Sequence, residues 1–171
     1  VNGYQASLSP DKKSVYLNFD LSEGEIYHFS GDEMVGNTVL PLSEMQDFVG
    51  FKSGDVFSKA EVMKAVKAMQ NALADKGYAF ANINPMPVID EKAHTVKMTF
   101  YVDPGKVQYI RYLNFDGNNA AKDKVLRQRM ELQEQSRYSQ QAISDSKRRL
   151  ERQPYIQSIE DQIVPVQGTD D

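Results

Sequence analysis

The chain contains no cysteine and no tryptophan, and only two of its 171 residues are histidines, His28 and His94. Without cysteine there is no disulfide, no thiolate ligand for a metal and no thiol nucleophile. Each histidine lies in a different predicted strand, and no carboxylate cluster at ligand spacing accompanies either one. The sequence therefore predicts no metal site, no cofactor and no catalytic residue, and it predicts that the chain is not an enzyme.

Long apolar runs are also missing. No segment approaches the ~18–20 consecutive apolar residues that a membrane-spanning helix needs, so we expect no transmembrane segment in this chain. No basic and apolar leader marks a signal peptide, and because the first residue is Val1 we expect a piece of a longer protein. The formal net charge is −4, which argues against a nucleic-acid module, since such modules need a basic surface.

An internal repeat dominates what is present. A shift of 81 residues superimposes an alternating strand, a glycine, a Gly-Asn pair and an aromatic-Ser pair on matching second copies. Beyond Val62, which still matches Ile143 at a shift of 81, the shift falls to 77, so the second copy is shorter by about one helical turn. The matched positions are Val15, Leu17, Phe19 and Leu21 with Val96, Met98, Phe100 and Val102, Gly24 with Gly105, Gly36-Asn37 with Gly117-Asn118, Phe57-Ser58 with Tyr138-Ser139, Val62 with Ile143, Leu73 with Leu150, and Tyr78 with Tyr155.

Each repeat unit predicts the order β-α-α-β-β. In the first unit a strand ends at Gly36-Asn37, and Ser43 with Gln46 forms a capping-box pattern that predicts a short first helix. Ser58 with Glu61 predicts the start of a longer helix over 58–76, with Gly77 placed to end it in a left-handed conformation. Strands are predicted over 78–89 and 95–102. The longer helix carries one apolar stripe, Val62, Val66, Met69 and Leu73.

The second unit repeats this pattern less completely. Strands are predicted over 107–115 and 155–164, and two helices between them, the second opened by Ser139 and ended near Pro154. Residues 1–24 read as the closing β-hairpin of a preceding unit, with a turn at Pro10-Asp11. The predicted domains are therefore a hairpin over 1–24, a complete unit over 26–103, and a unit over 106–171 that lacks its last strand.

Several local motifs resemble the POTRA repeats of BamA-type outer-membrane assembly proteins, over essentially the whole chain. By this resemblance, residues 1–24 match the end of the third repeat, 26–103 the fourth and 106–171 the fifth. Two positions depart from the family pattern: Gln135 stands where the last repeat often has glycine, and Asp32 where an apolar residue is usual. The motifs are Ser9-Pro10-Asp11-Lys12-Lys13, Glu23-Gly24, Lys76-Gly77-Tyr78-Ala79, Met86-Pro87, His94-Thr95-Val96-Lys97, Lys122-Asp123 and Val125-Leu126-Arg127.

The resemblance implies an α+β fold of tandem POTRA repeats, each with two helices packed on a three-stranded mixed sheet. It implies the periplasmic part of a Gram-negative outer-membrane protein whose full-length chain carries a membrane β-barrel. The expected function is to dock accessory lipoproteins and to receive unfolded outer-membrane β-barrel substrates for folding and insertion. By the same resemblance, Arg127 and Glu134 match the charges that contact the lipoprotein. Their spacing of seven residues predicts one face of a single helix.

Open strand edges suggest how unfolded substrates could bind. An extended chain can pair with an exposed edge through main-chain hydrogen bonds, which tolerates many sequences. Pro85 and Pro87 lack N–H groups and share the same parity, so they would block one edge of the strand after Tyr78. Strand addition is therefore expected at the proline-free strand near the start of the chain, at Gly3, Tyr4, Gln5, Ala6, Ser7 and Leu8.

Other interpretations remain open from sequence alone. A transporter of the two-partner secretion or translocation type would use the same repeats. A nucleic-acid module shares the β-α-α-β order, but the acidic charge and the lack of a GXXG loop disfavour it. A basic cluster is interpreted either as a solvated helix face or as a docking face for an acidic partner or lipid headgroups. It comprises Lys147, Arg148, Arg149 and Arg152, with Arg127 and Arg129 nearby in sequence.

Overall fold

The computed structural model describes residues 3–8, 13–20, 24–118 and 121–166, which include five strands and four helices. The predicted turn at Pro10-Asp11 lies outside these residues. The elements are β1 Gly3–Leu8, β2 Val15–Asp20, β3 His28–Gly36, α1 Leu42–Asp47, α2 Lys59–Asp75, β4 Asn82–Asp90, β5 Thr95–Asp103, α3 Asp123–Arg127 and α4 Gln140–Glu151. The α+β class is confirmed, and between residues 28 and 103 the predicted order β-α-α-β-β is also confirmed.

The hairpin of β1 and β2 is antiparallel, with Ala6 opposite Leu17. Alternation in the sequence put apolar side chains on one face of β2, and Val15, Leu17 and Phe19 are all more than half exposed. Among the described residues, the hairpin forms its own two-stranded sheet, separate from the next one.

β5 lies in the middle of the three-stranded sheet, in the order β3-β5-β4. It runs parallel to β3 and antiparallel to β4. Its apolar residues alternate, so Val96, Met98, Phe100 and Val102 all face the helices and are buried. β4 begins at Asn82 and not at Tyr78 as predicted, because the chain turns at Tyr78–Ala81, where the Ala81 N–H donates to the Tyr78 carbonyl over 3.2 Å.

Helix α2 packs on this sheet through the predicted stripe. Ser58 is its N-cap and its hydroxyl accepts from the Glu61 N–H at 3.5 Å, as the capping pattern indicated. The stripe is buried, with Met69 and Leu73 fully inaccessible. Gly77 ends the helix with φ +92°, as expected for a left-handed terminator. The core cluster contains Val62, Val66, Met69, Leu73, Val96, Met98, Phe100 and Val102, together with Phe29, Met45 and Phe51 from β3, α1 and the α1–α2 loop.

The capping box predicted for α1 is wrong. The helix begins at Leu42 with Pro41 as its N-cap, and no side chain caps it. Proline fixes φ near the helical value and lacks an N–H that would need a partner, so the helix starts one residue before Ser43. Ser43 then lies inside the first turn and not at its boundary.

The strands predicted over 107–115 and 155–164 are also wrong, since both segments are irregular. The reason is the missing partner. In the first unit both outer strands pair with β5, and no counterpart of β5 exists among the described residues of the second unit. A cavity of about 1350 Å³ lies between the two segments and is lined on the helix side by Leu126, Ile143 and Leu150. Near its start, the first segment keeps one bridge, between Tyr109 and Arg137, which corresponds to the bridge between His28 and Val56.

The two units meet where α2 ends. The Asp75 carboxylate accepts from the Gln141 N–H at 2.6 Å, so a residue of the first unit caps the N-terminal turn of α4 in the second. The Gln108 N–H donates to the Gly77 carbonyl at 2.8 Å. The Arg137 side chain covers Gly77 so closely that a Cβ there would lie 2.8 Å from Arg137 Cγ. One backbone hydrogen bond and two side-chain contacts therefore join the two sides of the connection.

Replacing Leu73 with alanine tests the α2 packing. Leu73 is completely buried in the core, so Leu73→Ala is expected to lower the free energy of unfolding by about 2–5 kcal/mol. Met63 lies on the exposed side of the same helix, and Met63→Ala should change it by less than about 0.5 kcal/mol. Urea denaturation measures both. Equal costs for the two variants would contradict the packing described.

Alanine substitutions at two glycines test the contact between Gly77 of the first unit and Arg137 of the second. Gly54 and Gly77 have similar positive φ angles, +96° and +92°, but only Gly77 faces a close neighbour. We expect Gly54→Ala to cost about 1–2 kcal/mol from the left-handed conformation alone. Gly77→Ala should cost about 1 kcal/mol more, because Arg137 must move. Adding Arg137→Ala to Gly77→Ala should remove this excess in the same denaturation measurement, and an unchanged excess would refute the contact as its cause.

Candidate docking site

Arg127 is the last residue of α3, a helix of five residues. The prediction that Arg127 and Glu134 share one face of a continuous helix is therefore wrong. The chain leaves the helix at Gln128, and Gln135 adopts a left-handed φ of +68° at the position where Gly54 stands in the first unit. Glu134 therefore lies in the loop between α3 and α4. The two charges predicted as a pair are brought together after all, with Arg127 Nη1 2.9 Å from Glu134 Oε1.

Both side chains also bind the backbone of Leu113. The Leu113 N–H donates to Glu134 Oε1 at 3.0 Å, and Arg127 Nη2 donates to the Leu113 carbonyl at 2.5 Å. Asp123 holds the remaining edge of the guanidinium, accepting from Arg127 Nε at 2.6 Å. We call Asp123, Arg127 and Glu134 the Leu113 clamp. Sequence reasoning identified two of its members but missed Asp123 and Leu113, although a carboxylate four residues before an arginine in a helix is a recognisable signal.

The clamp perturbs the acid–base properties of its members. Hydrogen bonds from the Leu113 backbone and from Arg127 lower the pKa of Glu134 below its ordinary value. Hydrogen bonds to Asp123 and Glu134 raise the pKa of Arg127 above its ordinary value. The charged forms of both side chains are thus favoured. About two fifths of each side chain is still exposed, 38% for Arg127 and 41% for Glu134, so a partner can reach both.

The basic cluster on α4 is mostly neutralised within its own unit. Lys147 pairs with Asp161 at 2.9 Å, Arg148 pairs with Asp145 at 3.1 Å, and Arg149 pairs with Glu131. These internal ion pairs favour the interpretation of a solvated helix face over that of a docking face for acidic groups.

The predicted pairing strand, Gly3–Leu8, forms β1 and pairs with β2 alone, so its other side has no strand partner among the described residues. Gln5, Ala6 and Ser7 are exposed. β4 is an edge strand of the three-stranded sheet, and its pairing with β5 includes Pro85 and Pro87. A proline fits in a paired strand only when its nitrogen faces away from the neighbour, so both prolines face the free edge.

The two histidines make few contacts with other ionisable side chains. His94 Nδ1 lies 3.1 Å from Glu25 Oε2 in an exposed contact, and His28 is exposed on β3. Within residues 3–8, 13–20, 24–118 and 121–166, no group of three potential metal ligands occurs. Over the same residues, no helix has the length and apolar character needed to cross a membrane.

A family model described as "POTRA: Surface antigen variable number repeat" matches residues 27–105 and again residues 108–171. Among curated proteins, the outer membrane protein assembly factor BamA of Neisseria meningitidis serogroup B is 25% identical over 94% of this chain. BamA of Neorickettsia risticii is 30% identical over 82% of it. The chain spans about a fifth of the length of these relatives, 20% and 19% respectively.

Solved structures agree with the sequence comparisons. The crystal structure of Haemophilus influenzae BamA POTRA3-5 superimposes with a TM-score of 0.90 at 28% identity, covering 100% of this chain and 68% of that one. BamA from Haemophilus ducreyi lacking POTRA domains 1–3 gives a TM-score of 0.69 at 32% identity, covering 85% of this chain and 27% of that one. Two family matches in tandem, together with this fold, show that the chain belongs to the POTRA family and carries two of its repeats in the arrangement found in BamA.

Proposed function

We propose that this chain is a periplasmic docking scaffold of the outer-membrane β-barrel assembly machinery. The observation that carries the proposal is the superposition on BamA POTRA3-5 over the whole chain, with a TM-score of 0.90. The relatives bear the name outer membrane protein assembly factor. In this proposal residues 1–24 are the C-terminal hairpin of a preceding repeat, 26–103 are one complete repeat, and 106–171 are a repeat without its last strand.

The joint between the repeats supports a scaffold role. Asp75 caps a helix of the next unit, and the backbone of Gly77 bonds to Gln108. A charge-assisted and a backbone hydrogen bond across the connection favour one placement of the repeats relative to each other. A preferred placement of this kind can hold a docked lipoprotein near a bound substrate strand.

The lipoprotein docking site in this proposal is the exposed surface of Arg127 and Glu134. One cation and one anion side by side define a direction on the surface, and a partner with the opposite arrangement of charges binds in one register only. The internal pairing keeps the two opposite charges side by side on the surface where a partner first meets them.

The substrate site in this proposal is the open edge of β1. Main-chain pairing recognises the extended backbone and not particular side chains, as an assembly factor for many different unfolded β-barrel proteins requires. Because Pro85 and Pro87 remove two consecutive donors from the free edge of β4, substrate strands are directed away from the complete repeat and toward β1.

Charge reversal tests the docking site. Arg127→Glu and Glu134→Lys are each expected to reduce co-purification of the assembly lipoproteins at least about tenfold, because removing one member of a close charge pair at an interface costs several kcal/mol. The matched control is Arg148→Glu on α4, which reverses an ion-paired cation that is more exposed than Arg127 and lies outside the clamp, and it should have no effect. Circular dichroism checks that each variant is folded. Unchanged co-purification in both clamp variants would exclude this surface as the docking site.

Hydrogen exchange with a barrel-derived peptide tests the substrate site. The peptide should protect the backbone amides of residues 3–8 more than those of residues 79–88, which contain the blocked edge of β4. A second peptide with proline at every other position cannot pair and should protect neither segment. Equal protection of the two segments by the first peptide would refute the preference for β1.

A further inference from the structure

Leu113 has both of its peptide groups bound by charged side chains. Its N–H donates to Glu134 and its carbonyl accepts from Arg127. In an antiparallel β-sheet, a residue whose N–H and carbonyl both point toward the neighbouring strand donates to a carbonyl of that strand and accepts from one of its N–H groups. Glu134 and Arg127 supply the same acceptor and donor, so two side chains take the place that a strand would occupy.

On the same edge, three residues earlier, the N–H and carbonyl of Ile110 are bound by backbone groups and not by side chains. The Ile110 N–H donates to the Ser136 carbonyl at 2.9 Å, and the Ile110 carbonyl accepts from the Gln135 N–H at 2.6 Å. Both of these hydrogen bonds join backbone atoms, so they can break only if the backbone itself moves. The closure at Leu113 is made by exposed side chains, which can rotate away without any change in the backbone.

The first unit has the same edge without the clamp. A shift of 81 residues carries Leu113 to Asp32, Arg127 to Gln46 and Glu134 to Ser53. Gln46 and Ser53 are uncharged and cannot form an ion pair. Ile110 corresponds to Phe29, whose N–H and carbonyl also bond to the α1–α2 loop, at Asp55 and Gly54. The backbone closure is therefore common to both repeats, while the side-chain closure is particular to the second.

We propose that Arg127 and Glu134 act as a removable guard over one edge of the irregular segment 107–115, at Leu113. When both are in place, the edge is closed; when a partner draws Glu134 away, the Leu113 N–H becomes available to an incoming extended polypeptide, and when it draws Arg127 away, the Leu113 carbonyl becomes available. This inference rests on the proposed function, in which the same two charges dock a lipoprotein. Docking would then open a site for a substrate strand.

The geometry favours reversible opening. Asp123 holds Arg127 Nε independently, so the guanidinium stays near the edge when Glu134 is displaced. Leu113 is only half-buried, so its freed peptide groups can bond to water until a strand arrives. Salt and water weaken ion pairs at this exposure, which makes the guard easier to displace than the backbone closure at Ile110.

Amide hydrogen exchange at Leu113 tests the guard in the folded protein. Glu134→Ala should make the Leu113 amide exchange at least about tenfold faster while leaving the Ile110 amide unchanged. Lys64→Ala, which removes the exposed ion pair with Glu61 on α2, serves as the matched control and should change neither amide. An unchanged Leu113 rate in Glu134→Ala would overturn the proposal.

Exchanging the two charges distinguishes two explanations for slow exchange at Leu113: the hydrogen bond that its N–H donates to Glu134, and the ion pair between Arg127 and Glu134. In the double variant Arg127→Glu with Glu134→Arg the ion pair can form again, but arginine at 134 cannot accept from the Leu113 N–H. The Leu113 amide should therefore stay fast. Recovery of slow exchange in this variant would show that the ion pair, and not the bond to the edge, protects Leu113, and would overturn the proposal.

A peptide with the sequence of Thr95–Asp103 tests strand acceptance, because this segment pairs on both of its sides in the first unit. Added to Glu134→Ala, it should restore slow exchange at Leu113, and a peptide of the same composition in scrambled order should not. Failure of the first peptide to protect Leu113 would overturn strand acceptance at this edge.

Exchange in the complex with the co-purifying lipoprotein tests the coupling. A faster Leu113 amide in the complex is expected, and an unchanged or slower one would overturn the coupling. The two proposals fail separately. Loss of the docking proposal appears as unchanged co-purification after charge reversal, whereas loss of the guard appears as an unchanged Leu113 rate in Glu134→Ala.

Discussion

The pairing of β5 on both of its sides is the interaction on which the first unit depends. β5 supplies four buried apolar side chains to the core and joins β3 to β4, which do not pair with each other. α2 buries its stripe against this surface. The second unit shows what the same pattern does without such a strand: the matching helices form, but the flanking segments remain irregular around a cavity of about 1350 Å³. Helices need mainly local bonds, whereas strands need a neighbour.

Residues with left-handed backbone conformations determine where the chain turns at the end of α2 and in the loop before α4. Gly77 ends α2 and lets Arg137 and Gln108 of the next unit approach its backbone. Gln135 takes the same kind of conformation without being a glycine, and it directly follows Glu134 of the clamp. A non-glycine residue here is strained, so the contacts of the second unit must hold it in place. The first unit has the left-handed Gly54 at the matching position but no clamp, because Gln46 and Ser53 stand where the second unit has Arg127 and Glu134.

Sequence patterns predicted the features that depend on neighbours along the chain. Capping and amphipathic periodicity are local, so the sequence alone predicts the features that depend on them. These are the apolar stripe of α2, the caps at Ser58 and Ser139, and the alternation of β5. The strand over 107–115 was predicted from the same kind of pattern and does not form, because its partner is not local. Helical spacing predicts that Arg127 and Glu134 share one face of a single helix. The two side chains do meet, but α3 ends at Arg127 and Glu134 reaches it from the loop that follows. The role of Leu113 left no signal in the sequence, because its bonds are made by main-chain atoms that every residue possesses.

The parallel pairing of β3 with β5 has a consequence for biosynthesis. It joins His28 to Thr95, so the first strand of the unit bonds to its last. Neither the sheet nor the core can be completed until the whole unit has left the ribosome or the translocation channel. During that interval β3 is an unpaired strand with exposed apolar residues, and open strands of this kind are prone to pair with other chains. A protein proposed to receive unfolded strands thus passes through a stage in which it presents an unpaired strand of its own.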